Sequence, residues 1–206
     1  MPGRRQSMIE HPPRRVADPD SERVSETRAR LLDAAEQLFL EHDPATVSVR
    51  TINAAAGLNP GAVHYHFGSK HGLVLALLED RLTQRLHVRD QLDRMAAVDD
   101  VDMRQIDELA VRPILRLAHG TDRERLWVRL LVDAVRRDPD STFADAAFSP
   151  DPWAALATRA RPDLPARVVR RRWGYAVALL LAVAETAVDR ASLVDFLVAG
   201  LTAPSP

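Results

Sequence analysis

The stretch that most constrains this 206-residue chain runs from Ile52 to Lys70. A helical segment ending Ala54-Ala55-Ala56 meets Gly57, and a second short segment follows, Leu58-Asn59-Pro60-Gly61-Ala62-Val63-His64-Tyr65-His66-Phe67. A glycine between two short helices supplies the left-handed backbone that a sharp turn needs. Pro60 suits the first turn of the second helix, where a missing N–H costs nothing. Helix-turn-helix units of this kind mainly serve to push their second helix into the DNA major groove. The spacing therefore predicts a DNA-binding regulator.

Apolar residues make up 46% of the chain, too many for a protein disordered throughout. Cysteine is absent, which excludes a disulfide framework, a thiolate nucleophile and a cysteine-based zinc site. No apolar run reaches the roughly 20 residues of a membrane span, and the N-terminus lacks the apolar core of a signal peptide, so a cytoplasmic location is expected. Net charge is −1, and between Ser25 and Gly72 the cations Arg28, Arg30, Arg50 and Lys70 face five carboxylates. Bulk basicity cannot hold DNA here, so local placement of a few donors must.

Hydrophobic spacing predicts an all-α chain. Residues 1–24, rich in proline and arginine, read as a disordered tail, or as an arm that touches DNA through Arg4, Arg5, Arg14 and Arg15. Residues 25–72 read as a three-helix module: one helix from Ser25 to about His42, a second capped by Ser48 and running through Ala56, and a third from Pro60 to Phe67. Leu31, Ala35, Leu38, Phe39, Ile52, Ala55, Leu58, Val63 and Phe67 would form its core. Residues 73–206 read as a larger helical domain. A fourth helix from about Ser69 carries Val74, Leu78, Leu82 and Leu86, another spans Met103 to Ala118, and Thr121-Asp122-Arg123-Glu124 is a capping box opening a helix to about Arg137. The long helix from about Pro165 to Val188 is apolar all round between Trp173 and Ala184, so it must bury two faces. With a last helix started by Ser192, it would form a four-helix dimer interface.

Thr27, Ala34-Ala35, Leu38-Phe39, Ile52, Ala56-Gly57-Leu58, Tyr65-His66-Phe67, Ser69-Lys70 and Leu73 together resemble the N-terminal signature of TetR/AcrR transcriptional regulators. The resemblance covers about residues 25–73. It implies an Ω-shaped homodimer, usually a repressor, that releases its operator when a small ligand enters the C-terminal domain. Three positions depart from the pattern: His64 replaces a phosphate-contacting tyrosine, Asn53 replaces a small alanine, and His42-Asp43-Pro44 replaces a glycine turn. A histidine contact at position 64 would depend on pH.

The exposed start of the recognition helix offers Asn59, Pro60, Gly61 and Ala62, all short or apolar, so direct readout should be sparse. Ala62 is expected at a thymine methyl, His64 and Arg50 at base edges, and Ser48, Tyr65, His66 and Lys70 at phosphates. Candidate effector contacts are Arg112, His119, Trp127, Asp133, Phe143, Phe148, Trp153, Tyr175 and Glu185, polar or aromatic residues within apolar helices. Arg129, Arg136, Arg137 and the run Arg170-Arg171-Arg172 read as solvated faces. His64 and His66, two apart on a helix, face different ways and cannot share a metal. No phosphate-loop, Gly-x-Ser-x-Gly or His-Glu-x-x-His pattern occurs, so neither an enzyme nor a cofactor is expected. The alternative is a DNA-binding regulator without a small ligand, controlled by a protein partner.

Overall fold

In the computed structural model, which describes residues 19–137, 150–183, 186 and 189–204, the chain is a stack of α-helices with no strand among the described residues. The N-terminal module comprises α1 (Pro19–Glu41), α2 (Val49–Ala55) and α3 (Ala62–Phe67). α1 begins at Pro19, so the part of the expected tail from residue 19 to 24 is helical, and residues 1–18 lie outside the described residues. Ser48 caps α2, its Oγ accepting from the Thr51 N–H at 3.0 Å. Pro60 lies in the turn rather than in α3, which opens at Ala62 with Gly61 as its cap.

α4 (Lys70–Leu86) leaves the module and α5 (Val88–Ala96) follows after a break at His87, whose φ of 47° is the only positive value at a non-glycine among the described residues. α6 (Met103–Ala118) and α7 (Asp122–Arg137) match the predicted spans. The capping box is made as expected: the Thr121 N–H donates to the Glu124 carboxylate at 2.8 Å, and the Glu124 N–H donates to the Thr121 hydroxyl at 3.3 Å. α8 (Pro150–Ala160), α9 (Ala166–Val183) and α10 (Arg190–Thr202) complete the described chain. Asp189 rather than Ser192 caps α10, accepting from the Ser192 N–H at 2.9 Å. Arg172 is no mere solvated charge. It donates to the carbonyls of Leu201, Ala203 and Pro204 and so satisfies the end of α10, where backbone acceptors lack helical partners.

The small core of the module does not stand alone. Leu31, Ala35, Phe39, Ile52 and Val63 are buried in one cluster with Leu73, Leu77 and Leu78 of α4 and Leu126, Trp127 and Leu130 of α7. Ala55 is exposed and Ala56 takes its expected place in the core. A three-helix unit of this size has too little apolar surface to be stable by itself, and the shared core supplies the rest. At its centre is a buried charge. Glu36 of α1 accepts from the Trp127 indole at 2.7 Å and pairs with Arg81 of α4 at 3.3 Å and Arg123 of α7 at 3.6 Å.

Two further clusters lie beyond. Trp153 of α8 stacks on Trp173 of α9, ring centroids 6.0 Å apart, among Leu92, Met103, Ile106 and Leu201. Leu193 and Leu197 of α10 pack against Val111 and Leu115 of α6 and Leu180 of α9. α9 buries Trp173, Leu180 and Leu181 within the chain and leaves Gly174, Tyr175, Ala178 and Ala182 exposed. The second apolar face predicted from the sequence therefore has no partner within this chain among the described residues.

Candidate nucleic-acid interface

The geometry of α2 and α3 is set from behind. Asn53 is buried between them, its amide nitrogen donating to the Pro60 carbonyl at 2.6 Å and its amide oxygen accepting from the Val63 N–H at 3.1 Å. Both bonds span the turn at Gly57, where φ is +64°. The departure from alanine at position 53 is thus a polar staple that fixes the angle of α3. Arg30 of α1 donates to the Ala56 carbonyl at 2.6 Å and Arg28 donates to the His66 carbonyl at 2.7 Å. Each guanidinium meets the negative end of a helix, a favourable match to the helix dipole. Arg28 also lies over the Phe67 ring at 4.4 Å.

These bonds use up much of the positive charge of the module. Lys70, read as a phosphate contact, instead donates to the Pro44 and Val47 carbonyls, the latter at 2.5 Å, and clamps the loop before α2. Partial burial lowers its pKa, with Arg137 adding to the effect. The reason is steric placement: Ser69 caps α4 and turns the Lys70 side chain back under the α1–α2 loop. Arg28, Arg30 and Lys70 all serve the fold, and Arg50 is left exposed on α2.

The outer face carries the other candidates. Ser48, Arg50, Asn59, Pro60, Gly61, His64 and Tyr65 are exposed, and Tyr65 is 83% exposed, an unusual position for an aromatic ring. Asn59 shapes the turn, its side-chain oxygen accepting from the Gly61 N–H at 3.0 Å. The His64 ring nitrogen Nδ1 lies 3.0 Å from the Gly68 carbonyl. His66 is half-buried, edge-on to Tyr65 at 4.9 Å, and burial followed by the Arg28 charge holds its pKa below the usual histidine value. Ala62 is buried in the core and cannot reach a thymine methyl. At the first turn of α3 its side chain points inward, one residue before the stapled Val63.

The surface assembled here is a short exposed helix, its tip free of bulky side chains and its flanks carrying hydroxyl, imidazole and guanidinium groups. The family model for bacterial regulatory proteins of the tetR family matches residues 31–77, the same segment. Over those residues the N-terminal module is similar to the tetR family. Among curated relatives, the HTH-type transcriptional regulator TtgR of Pseudomonas putida is 30% identical over 96 residues, 44% of this chain and 46% of that protein. The repressor Rv3405c of Mycobacterium tuberculosis is 45% identical over 65 residues, 30% of this chain and 35% of that protein. The chain spans about half the length of the curated relatives it matches, 46% for TtgR. The crystal structure of NalD, the secondary repressor of the MexAB-OprM multidrug efflux pump in Pseudomonas aeruginosa, superposes with a TM-score of 0.57 at 20% identity, covering 87% of this chain and 95% of NalD. That likeness shows a shared fold over the described chain, a helix-turn-helix at the N-terminal end followed by a larger helical part.

The candidate effector contacts do not converge. Trp127 is committed to Glu36, Asp133 pairs with Arg137 at 2.9 Å, Trp153 stacks on Trp173, and Tyr175 is exposed. His119 ends α6 in solvent, and Arg112 pairs with Glu108 at 3.2 Å beside an open cleft. Phe143, Phe148 and Glu185 lie outside the described residues. Residues that no motif singled out are as informative: Arg28 and Arg30 behind the module, Glu36 at its junction with α7, and Asp107, whose two carboxylate oxygens are buried without a hydrogen-bond partner. Asp107 carried a legible signal, since it lies four residues after Met103 and four before Val111 inside an apolar stripe.

Proposed function

We propose that this protein is a TetR-type transcriptional repressor that binds a pseudo-palindromic DNA operator as a homodimer and releases it when a small molecule occupies the C-terminal domain. The observation that carries this reading is the exposed outer face of α3, held rigidly from behind by Asn53, Arg28 and Arg30 while Tyr65 and His64 stand in solvent. Phosphate contacts then come from the Ser48 and Tyr65 hydroxyls and from backbone N–H groups at the start of α2. His64 and Arg50 reach base edges. Repression is the output stated for NalD and for Rv3405c, and is carried here by likeness to them.

The exposed ridge of α9 and α10 supports dimerisation. Tyr175 is 67% and Phe196 65% exposed, flanked by the small exposed residues Gly174, Ala178, Ala199 and Gly200. Two large rings among small residues form a self-complementary surface, as a two-fold interface requires. Pairing through it sets two α3 helices for successive major grooves about 34–36 Å apart. A Tyr175→Glu/Phe196→Glu variant is expected to sediment as a folded monomer and to lose operator binding. A wild-type protein that is monomeric at micromolar concentration would refute the interface.

Tyr65→Phe removes one hydroxyl donor from each half-site without disturbing a buried contact. It should weaken binding by about 1.5–3 kcal/mol per half-site, the usual worth of a hydrogen bond to a charged acceptor, equally on operator and random duplex. DNA fragments selected by the purified protein provide the operator, and fluorescence anisotropy measures both affinities. Unchanged affinity would remove Tyr65 from the phosphate contacts. If no duplex is retained at low ionic strength, the proposal as a whole fails.

A further inference from the structure

On the outer side of α6, away from its buried face, a cleft of about 520 Å³ opens between the end of α4, the α4–α5 junction and α5. Leu86, Met95 and Leu109 contribute apolar surface to it, while Arg85, Arg94, Arg112 and Arg116 line it with charge. One carboxylate, Glu108, faces these four guanidinium groups. Such a concentration of positive charge is conspicuous in a chain whose net charge is −1. Arg112 is held by Glu108 at 3.2 Å and Arg85 by Glu124 at 2.8 Å, whereas Arg94 and Arg116 have no carboxylate partner among the described residues. Both are exposed.

We propose that this cleft binds a small organic anion with an apolar tail, of the medium-chain carboxylate class. The inference rests on the reading of the C-terminal domain as an effector domain and narrows the effector to a chemical class. Guanidinium groups match a carboxylate with paired, charge-assisted hydrogen bonds, and Arg94 and Arg116 approach from two different helices. The tail lies on Leu86, Met95 and Leu109, which otherwise border solvent. Arg85 connects the site to the DNA module. It occupies the last turn of α4, the helix that begins beside α3, and its bond to Glu124 ties α4 to the capping box of α7. An anion that draws Arg85 into the cleft competes with Glu124 and loosens α4 from α7.

Calorimetric titration of the full chain with decanoate, decanol and decyltrimethylammonium at pH 7.5 tests the site. Saturable binding of decanoate, about tenfold or more tighter than of either comparator, is expected, because only decanoate combines the tail with the charge that the arginines recognise. Arg94→Gln/Arg116→Gln removes two exposed, unpaired charges and should weaken decanoate by about tenfold or more while leaving the unliganded melting temperature unchanged. No saturable decanoate binding, equal binding of the cation, or an unchanged affinity in the double variant overturns the proposal. Selection of duplex fragments by the same protein without decanoate separates the two readings: DNA retained without decanoate binding refutes the anion site alone, and DNA not retained refutes the regulator itself.

Discussion

Glu36→Ala is expected to lower the free energy of unfolding by about 3 kcal/mol, since breaking a buried polar pair leaves its partner unsatisfied and opens a void. Glu36 is buried where α1, α4 and α7 meet, accepting from the Trp127 indole at 2.7 Å. Arg81 would keep two carboxylates, Asp33 at 2.5 Å and Asp80 at 2.6 Å, and Arg123 is half-exposed to water, so the buried group orphaned by the change is the indole N–H. Glu36→Gln retains an acceptor for Trp127 and should cost less than the alanine variant. Trp127→Phe removes the donor and leaves Glu36 with Arg81, so the double variant Glu36→Ala/Trp127→Phe should show strong coupling relative to the single changes. Urea unfolding at constant pH gives all four values, and a loss below about 1 kcal/mol for Glu36→Ala would show that Arg81 and water replace the contact. The same bond also joins the N-terminal module to α7. Its removal should make the two parts unfold less cooperatively, visible as a lower denaturant slope.

The second large effect is a dependence of stability on pH through Asp107. Its carboxylate is fully buried with both oxygens unpartnered, and burial pushes its pKa from the ordinary 3.8 up to about 7. The nearby Arg104 charge opposes the rise and Glu108 adds to it. Because the folded pKa exceeds the unfolded one, the folded protein holds the proton more tightly, and the stabilisation is complete below about pH 4 and lost as pH rises through 7. A difference of about three units corresponds to roughly 4 kcal/mol. Asp107→Asn keeps the shape and stays neutral. The variant should therefore match the wild type near pH 4 and exceed it by roughly 4 kcal/mol at pH 8, a comparison in which all other titrating groups cancel. Parallel stability curves for the two proteins would show that Asp107 finds a partner or water when ionised.

Much of the fold was legible because it depends on local chemistry. The capping box at Thr121, the Ser48 cap and the turn at Gly57 each need a particular residue at a particular spacing, and the structure contains each of them. The limits of α6 followed from apolar spacing in the same way. The misreadings share a different origin. Lys70 and Ala62 sit beside the recognition helix in the sequence, yet the first clamps a loop more than twenty residues away and the second points into the core. Arg28 and Arg30 entered only the charge balance of the module, and each closes the end of a helix 38 or 26 residues further along. Asn53 stood out as a departure from alanine without disclosing its two bonds across the turn.

By itself the amino-acid order determined that the chain is helical, where α2, α6 and α7 lie, and that a glycine turn joins two short helices in an N-terminal segment resembling the TetR helix-turn-helix, because caps, glycine turns and apolar periodicity act over a few residues. Only the tertiary structure decided which polar side chains remain free to meet a ligand or DNA. A charged or polar group takes the nearest complementary partner in space, and for Glu36, Lys70, Arg28 and Arg30 that partner lies on another helix or loop, while for Asp107 none is present.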